Sequence, residues 1–230
     1  MGKLIHFVHQ SLDGFIEGPQ GEFDWPLMGP ELSAYSHELT GGDKVFLYGR
    51  VVWDMMAGFW PEAEKYSTHE HDLAFAPIWR AAPKVVVSRT LEKADWNTRV
   101  IGENVVEELT ALKESGVTLL LFGGSNLAAH LTEHGVIDEY RVFVHPVLLG
   151  GGKPVFQPQQ QRIGLELVES RVLDEQVVML RHRRTAGRSV DIPRGRCEAG
   201  GRVPSLRASP AAGRPGRRHR PHRRPHRPAG

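Results

Sequence analysis

The chain has 230 residues, 40% apolar and 24% charged, with 29 Lys+Arg against 27 Asp+Glu and a single cysteine. One thiol excludes a disulfide framework and a cysteine-based zinc site, since each needs at least two. No apolar run reaches the roughly 18 residues of a membrane span. The first residues hold no secretory apolar stretch, and His6 stands where a myristoylation signal needs Ser or Thr.

In chain order, residues 3–8 read as a buried strand. Residues 11–19 form a loop punctuated by Gly14, Gly18 and Pro19. Residues 30–40 carry Leu32, Tyr35, Ser36 and Leu39 at helical spacing. Pro30 suits the first turn, and Gly41-Gly42 stops the helix. Residues 44–48 are a strand ending at Gly49, and 51–56 a short helix. Residues 62–82 are polar, partly helical and closed by Pro83. Residues 84–88 are a strand. Residues 104–114 are a helix with Val105, Leu109 and Leu112 on one face. The apolar run 117–122 is a central strand. A helix at 125–134 follows Gly123-Gly124, and 139–145 is a strand. Residues 166–173 and 177–182 form a hairpin about Asp174-Glu175. This order predicts one α/β domain with a mostly parallel sheet and a C-terminal antiparallel hairpin.

The net charge of +2 hides two segments of opposite sign. Residues 1–184 hold 17 Lys+Arg and 25 Asp+Glu, a net of −8, whereas 185–230 hold 12 Arg and two acids, a net of +10. The second segment also has seven Pro, seven Gly, the lone Cys197 and no aromatic residue. It cannot bury enough apolar area to offset its ordering entropy, and disorder is expected. Its Arg and His clusters invite a nucleic-acid or metal reading. Its composition also fits a GC-rich coding sequence read past its stop codon or in a shifted frame, and neither nucleic-acid binding nor a metal site is expected.

Three junctions place a strand end before a loop or helix start: Tyr48-Gly49-Arg50, Val87-Ser88-Arg89-Thr90 and Phe122-Gly123-Gly124-Ser125-Asn126. Ligands of open α/β sheets bind at the carboxyl ends of strands. Gly123-Gly124 allows close backbone approach, and the helix start after it suits a phosphate. Arg50 and Ser88-Arg89-Thr90 add cations and donors. Singly, each junction is equally a plain turn, an N-cap or a surface loop. Together they point to a ligand with more than one phosphate, such as a nucleotide.

Ser11-Leu12-Asp13-Gly14, Asp24-Trp25, Gly49-Arg50-x-x-Trp53, Val87-Ser88-Arg89-Thr90, Phe122-Gly123-Gly124-Ser125, Asp138-Glu139 and the run Pro146–Gly152 appear in this order. The sequence thus resembles the dihydrofolate reductase superfamily, most closely the branch with the reductase domain of bacterial riboflavin biosynthesis. The resemblance covers residues 1 to about 183. It implies a three-layer α/β/α fold around a sheet of about eight strands. It also implies NADPH as cofactor. Gly123, Gly124, Ser125 and Asn126, with Leu127 beside them, would lie at the pyrophosphate. Gly49 and Arg50 would lie at the phosphates, Ser88, Arg89 and Thr90 at the adenosine 2′-phosphate. The loop from Ser11 to Trp25 would cover the nicotinamide, with Trp25 at the substrate. The family's Gly-Arg-x-Thr reads Gly49-Arg50-Val51-Val52 here. The hydroxyl lost at Val52 removes a hydrogen bond of about 0.5–1.5 kcal/mol, so weaker NADPH binding is expected. The Pro-Cys-x-x-Cys signature of the zinc deaminase often attached in riboflavin enzymes is absent, as if this were only the reductase half.

Two acids are candidate catalytic groups. Glu31 lies six residues after Trp25, the spacing of the pterin-gripping carboxylate in vertebrate-type folate reductases. It is equally a first-turn acid favoured by the helix dipole. Asp13 can act on substrate or hold its loop through backbone N–H groups. His69-Glu70-His71-Asp72 resembles a metal cluster but reads as a solvated helix start. The expected function is NADPH-dependent reduction of a small heterocycle (pyrimidine- or pterin-like) or of a carbonyl or imine. The alternatives are a non-catalytic NADP(H)-binding module, a true dihydrofolate reductase if Glu31 grips a pterin, and an Arg-tail nucleic-acid binder. A cytoplasmic location is expected, and a homodimer pairing through an edge bearing Val142, Val144, Val147 and Leu148.

Overall fold

Leu4, Ile5, His6, Phe7 and Val8 are all buried, as a strand covered on both faces must be. They open β1 (Leu4–Ser11), which sits in the middle of the sheet. The structure, a computed structural model, describes residues 1–185; the segment expected to be disordered lies outside the described residues apart from Thr185. The remaining elements are β2 (Phe15–Glu17), α1 (Pro30–Thr40), β3 (Lys44–Gly49), α2 (Arg50–Phe59), a 3-10 turn (Trp60–Glu62), α3 (Ala63–Tyr66), α4 (Glu70–Ala81), β4 (Lys84–Val87), β5 (Thr98–Ile101), α5 (Val105–Glu114), β6 (Thr118–Phe122), α6 (Ser125–Glu133), β7 (Glu139–His145), β8 (Lys153–Pro154), β9 (Leu165–Leu173) and β10 (Val177–Arg184).

The main sheet has eight strands in the order β5-β4-β3-β6-β1-β7-β10-β9. The first six run parallel, and β10 is antiparallel to both β7 and β9. This is the expected mostly parallel sheet with a C-terminal hairpin. Helices cover both faces. On one, Leu32, Leu39, Trp53, Phe75 and Trp79 pack on Phe7, Phe46 and Phe122. On the other, Leu109, Ala128 and Leu131 pack on Leu4, Leu47 and Leu121. A separate ribbon pairs β2 with β8.

Three strands escape the sequence reading. β5 is a four-residue edge strand, and β2 and β8 are too short for a periodicity to register. The expected dimer edge is also corrected. β7 lies between β1 and β10, with Val142 buried, so it offers no free edge; β9 does.

The start of α1 depends on a residue 143 positions away. Gly29 at its N-cap gives no side-chain bond. Instead the β9–β10 turn reaches over: Asp174 accepts the Glu31 and Leu32 N–H groups at 2.8 and 3.0 Å, and Glu31 accepts the Asp174 N–H in return. Each satisfies orphan donors, as in a capping box assembled from two elements. Asp174 and Glu175 both have positive φ and form the centre of the tight turn between β9 and β10, closed by the Gln176 N–H donating to the Leu173 carbonyl at 3.1 Å. A Cβ on Gly29 would lie 2.3 Å from the Asp174 carboxyl carbon, so glycine is the residue that fits beside it.

Asp174→Ala is therefore expected to lower stability by about 0.5–2 kcal/mol, the cost of a lost N-cap. Urea denaturation measures it, and an unchanged midpoint would show that water caps α1 equally well. A pH effect follows from His6, which is fully buried. Burial pushes it down to about 4, against the opposing effect of its hydrogen bond to Gly123. The unfolded chain takes that proton near 6.5. Stability is then full above 6.5 and is lost as the pH falls from 6.5 towards 4, by up to about 1.4 kcal/mol per pH unit. Urea midpoints that stay level across that window would contradict a neutral buried His6.

Candidate active site

The carboxyl ends of the parallel strands β4, β3, β6 and β1 lie side by side at one edge of the sheet. Gly123 and Gly124 turn the chain from β6 into α6 with φ of +51° and +70°, a pair that glycine adopts without steric cost. β1 pins this turn from both sides. The His6 Nε2–H donates to the Gly123 carbonyl at 3.2 Å, and the Gly123 N–H to the Phe7 carbonyl at 2.9 Å. The space where a Gly123 Cβ would stand is open. The first N–H groups of α6 lack intrahelical acceptors and carry the positive end of the helix dipole.

The start of α2 converges on the same place. A Cβ on Gly124 would lie 3.6 Å from Val52 Cγ2, and one on Gly49 3.6 Å from Leu127 Cβ. The structure thus brings together Gly49, Val52, Gly123, Gly124 and Leu127. Ser125 is buried and its hydroxyl accepts from Gln157 at 3.2 Å, while Asn126 is exposed. The Arg50 Nε bonds Asp54 at 2.7 Å, one turn along α2. That pair is solvent-exposed and worth at most about 1 kcal/mol, so the guanidinium is released cheaply. At the end of β4 the buried Ser88 hydroxyl accepts the Thr90 and Leu91 N–H groups at 3.3 and 3.1 Å. It shapes the turn and leaves Arg89 and Thr90 exposed. Arg89 has no ion-pair partner among the described residues.

Beside the glycine turn opens a cleft of about 730 Å³. Phe23, Pro26, Met28, Met55, Met56 and Phe59 give it a mostly apolar wall, and His9, Ser36 and His71 are polar members of its lining. His9 Nδ1 lies 2.8 Å from His145 Nε2, and the Leu27 N–H donates to His145 Nδ1 at 3.1 Å. Phe143 stacks on His9 with ring centres 5.0 Å apart. Trp25 packs edge-on to His145 at 5.5 Å. Burial pushes His9 down to about 3, with His145 and His71 adding to it, and pushes His145 down to about 4.

The ribbon β2–β8 borders the cleft through Ile16, Glu17 and Lys153, and Glu17 and Lys153 are 3.7 Å apart. Asp13 holds this border. Its carboxylate accepts the Ser11 hydroxyl at 2.6 Å and the Leu149 and Gly150 N–H groups at 3.2 and 2.8 Å. The Ser11 bond is the largest of the influences keeping Asp13 below the usual carboxylate range. Asp13 is thus a clasp between two loops.

Glu31 is not brought to the cleft. It is exposed at the start of α1 and bonded to the Asp174 N–H. The Trp25-to-Glu31 spacing does not carry the acid inward because that carboxylate is used for capping. The His69–Asp72 reading is corrected in part. His69 is the N-cap of α4, accepting the His71 N–H, but His71 is buried, bonded to Ser33 at 2.9 Å and stacked on His37. Sequence reasoning missed His9 and His145. His9 shares a strand face with Phe7, yet nothing local announces a partner 136 residues away.

Among proteins of known sequence, the chain is 36% identical over 182 residues to YyaP of Bacillus subtilis, described as an uncharacterized protein; the match spans 77% of this chain and 93% of that one. It is 28% identical over 171 residues to YwjB of the same organism, over 72% and 88% of the two chains. Among solved structures it superposes on a putative riboflavin biosynthesis protein from Shewanella sp. PV-4 with a TM-score of 0.63 at 20% identity, over 80% of this chain and 99% of that one. Against the deaminase/5-amino-6-(5-phosphoribosylamino)uracil reductase of Thermotoga maritima the TM-score is 0.57 at 16% identity, over 80% and 57%. Against dihydrofolate reductase from Enterococcus faecalis complexed with NADP(H) it is 0.56 at 17% identity, over 80% and 97%. These likenesses establish a dihydrofolate-reductase-like fold. With residues 2–179 matching that family, the chain belongs to the RibD C-terminal domain family.

Proposed function

We propose that the chain is an NADPH-dependent reductase acting by hydride transfer on a small heterocyclic, carbonyl or imine substrate. Residues 1–184 would form the reductase domain, with 185–230 as an appended tail. The observation that carries the reading is the consecutive left-handed pair Gly123-Gly124 at the start of α6, opening on a mostly apolar cleft. A dinucleotide fits the residues present. The pyrophosphate would meet the N–H groups of Gly124, Ser125 and Asn126, with Gly49 and Arg50 on the other side. Arg89 and Thr90 would take the 2′-phosphate, a group that favours NADP over NAD. Bound NADPH supplies the hydride; the protein orients it against the substrate and excludes water. The dihydrofolate reductase neighbour in complex with NADP(H) supports the same reading.

Folate itself is disfavoured as substrate, because Glu31 is spent on Asp174 and lies outside the cleft lining. Asp13 is proposed as a structural clasp and Trp25 as a cover over the His9–His145 pair. No helix among the described residues is long and apolar enough to cross a membrane. We place the enzyme in the cytoplasm and a homodimer contact at β9, whose Leu167 and Val172 are 55% and 65% exposed.

Arg89→Ala is expected to weaken NADPH by about 1.5–3 kcal/mol, the scale of a hydrogen bond to a charged group, and to leave NADH nearly unchanged. Fluorescence titration of both cofactors measures it. Equal loss for both would place Arg89 away from the 2′-phosphate. Oxidation of bound NADPH across pterins, ribosylaminopyrimidines and quinones then tests turnover. Tight binding without turnover on any of them would favour the non-catalytic NADP(H)-binding module.

A further inference from the structure

Resting on the reductase reading, we propose that the cleft takes an unphosphorylated, flat, largely apolar carbonyl or imine compound, and that the His9 Nε2–H is the donor to its oxygen or nitrogen at the hydride-accepting end.

The first argument is charge. The charged residues among the described lining are Glu17, Asp24, Asp72 and Lys153. Lys153 already faces Glu17 at 3.7 Å. No arginine lines the cleft among the described residues. A phosphate monoester is recognised by charge-assisted bonds from Arg, Lys or helix N-termini. Bringing a dianion beside Asp24 and Asp72 would add repulsion to its desolvation. The aromatic and methionine wall instead rewards flat apolar area at about 25 cal/mol per Å².

The second argument is valence. A backbone N–H can only donate, so His145 Nδ1, which receives the Leu27 N–H, is the bare nitrogen of its ring. The His145 proton then sits on Nε2, and at 2.8 Å it is donated to His9 Nδ1. His9 in turn keeps its proton on Nε2, the one ring nitrogen left for a ligand in the cleft that His9 lines. Three groups in series thus fix one tautomer. Burial keeps both rings neutral in the pH range of ordinary assays, with His9 held at about 3 and His145 at about 4. A neutral imidazole N–H polarises a C=O or C=N bond without surrendering its proton. Ser36 is a further polar residue of the same lining, its hydroxyl buried and without a hydrogen-bond partner among the described residues.

The balance is simple. The substrate carbon accepts a hydride from the reduced nicotinamide, and the π-bond pair moves onto its oxygen or nitrogen. That atom, hydrogen-bonded by His9, takes a proton from water, leaving an alcohol or amine, hydroxide and the oxidised nicotinamide. His9 touches substrate; His145 is a positioning residue.

The test uses the full chain. NADPH affinity is measured first by fluorescence. Turnover is then measured with cinnamaldehyde, with the cyclic imine 2-phenyl-1-pyrroline, and with 5-amino-6-(5-phosphoribosylamino)uracil. The expected result is turnover of at least one unphosphorylated probe, with kcat/KM at least about tenfold above that of the phosphorylated pyrimidine. His9→Phe, which keeps a ring but no donor, should lower that kcat/KM about tenfold or more and leave the NADPH Kd within about twofold. His9→Gln, which restores an N–H, should recover part of it. Independently of activity, ¹⁵N spectra should show both His9 and His145 protonated on Nε2. Preference for the phosphorylated pyrimidine, full activity of His9→Phe, turnover of that pyrimidine but of neither unphosphorylated probe, or a His9 proton on Nδ1 would each overturn the inference and leave the reductase reading standing; NADPH binding without turnover of any of the three would overturn both. Failure to bind NADPH would instead sink that reading and the inference together.

Discussion

The position of β1 governs everything else. It lies parallel between β6 and β7, so its residues are bonded on both sides and covered on both faces. A parallel neighbour cannot be reached by a tight turn, only by a crossover, usually helical. That topology places the carboxyl ends of β1, β3, β4, β6 and β7 at one edge. The glycine turn after β6, the start of α2 after β3, the Ser88 turn after β4 and the two histidines near the ends of β1 and β7 are consequently neighbours. His6 and Phe7 carry the dependence to atomic detail, because their bonds to Gly123 hold the turn at its shape.

The cleft shows how one strand serves two purposes by alternation. Phe7 and His9 share a face, and both line the cleft. Phe7 anchors the aromatic core through Phe122 and Phe143, with ring centres 5.5 and 4.9 Å apart. His9, two residues on, stands on Phe143 at the end of the same stack. A histidine there costs stability as the pH falls, since the native state resists its protonation. That cost is the kind found where a fold keeps a polar group inside an apolar wall for chemistry.

Much of the architecture was legible because strong local signals agreed with the global topology. α1 begins and ends where Pro30 and Gly41 predict. The apolar run of β6 is a central strand, and Asp174-Glu175 lies at the centre of the hairpin turn between β9 and β10. The glycine and Ser88 turns were legible as well, since each is a strand-end pattern a few residues long. What escaped was set by distance in the chain. β2 and β8 exist only as each other's partners, and β5 needs β4 beside it. The same limit hid the His9–His145 pair and misdirected Glu31. The acid has the register of a pterin ligand, and only the position of Asp174 shows that its carboxylate is engaged elsewhere.

The two halves of the proposed site would impose opposite electrostatic demands, which the fold can meet locally. Residues 1–184 carry a net −8, a poor background for an anionic dinucleotide. Charges more than about 8–10 Å apart across solvent are largely screened at physiological salt, so the remote acids matter little. At the phosphates of the proposed cofactor, the groups that would matter are the helix starts at Arg50 and Ser125, together with an Arg89 free of ion-pair partners among the described residues. In the proposed substrate half the charged lining residues are Glu17, Asp24, Asp72 and Lys153, with Lys153 facing Glu17, and burial keeps His9 neutral. Val52 sits at the boundary between the two. A threonine there would add one bond of about 0.5–1.5 kcal/mol to a phosphate. Valine instead places a methyl against Gly124 and closes the apolar wall at the point where cofactor and substrate would meet. In the proposed reading Val52 would exchange cofactor affinity for a drier cleft, where a neutral hydrogen-bond donor such as His9 would be most effective.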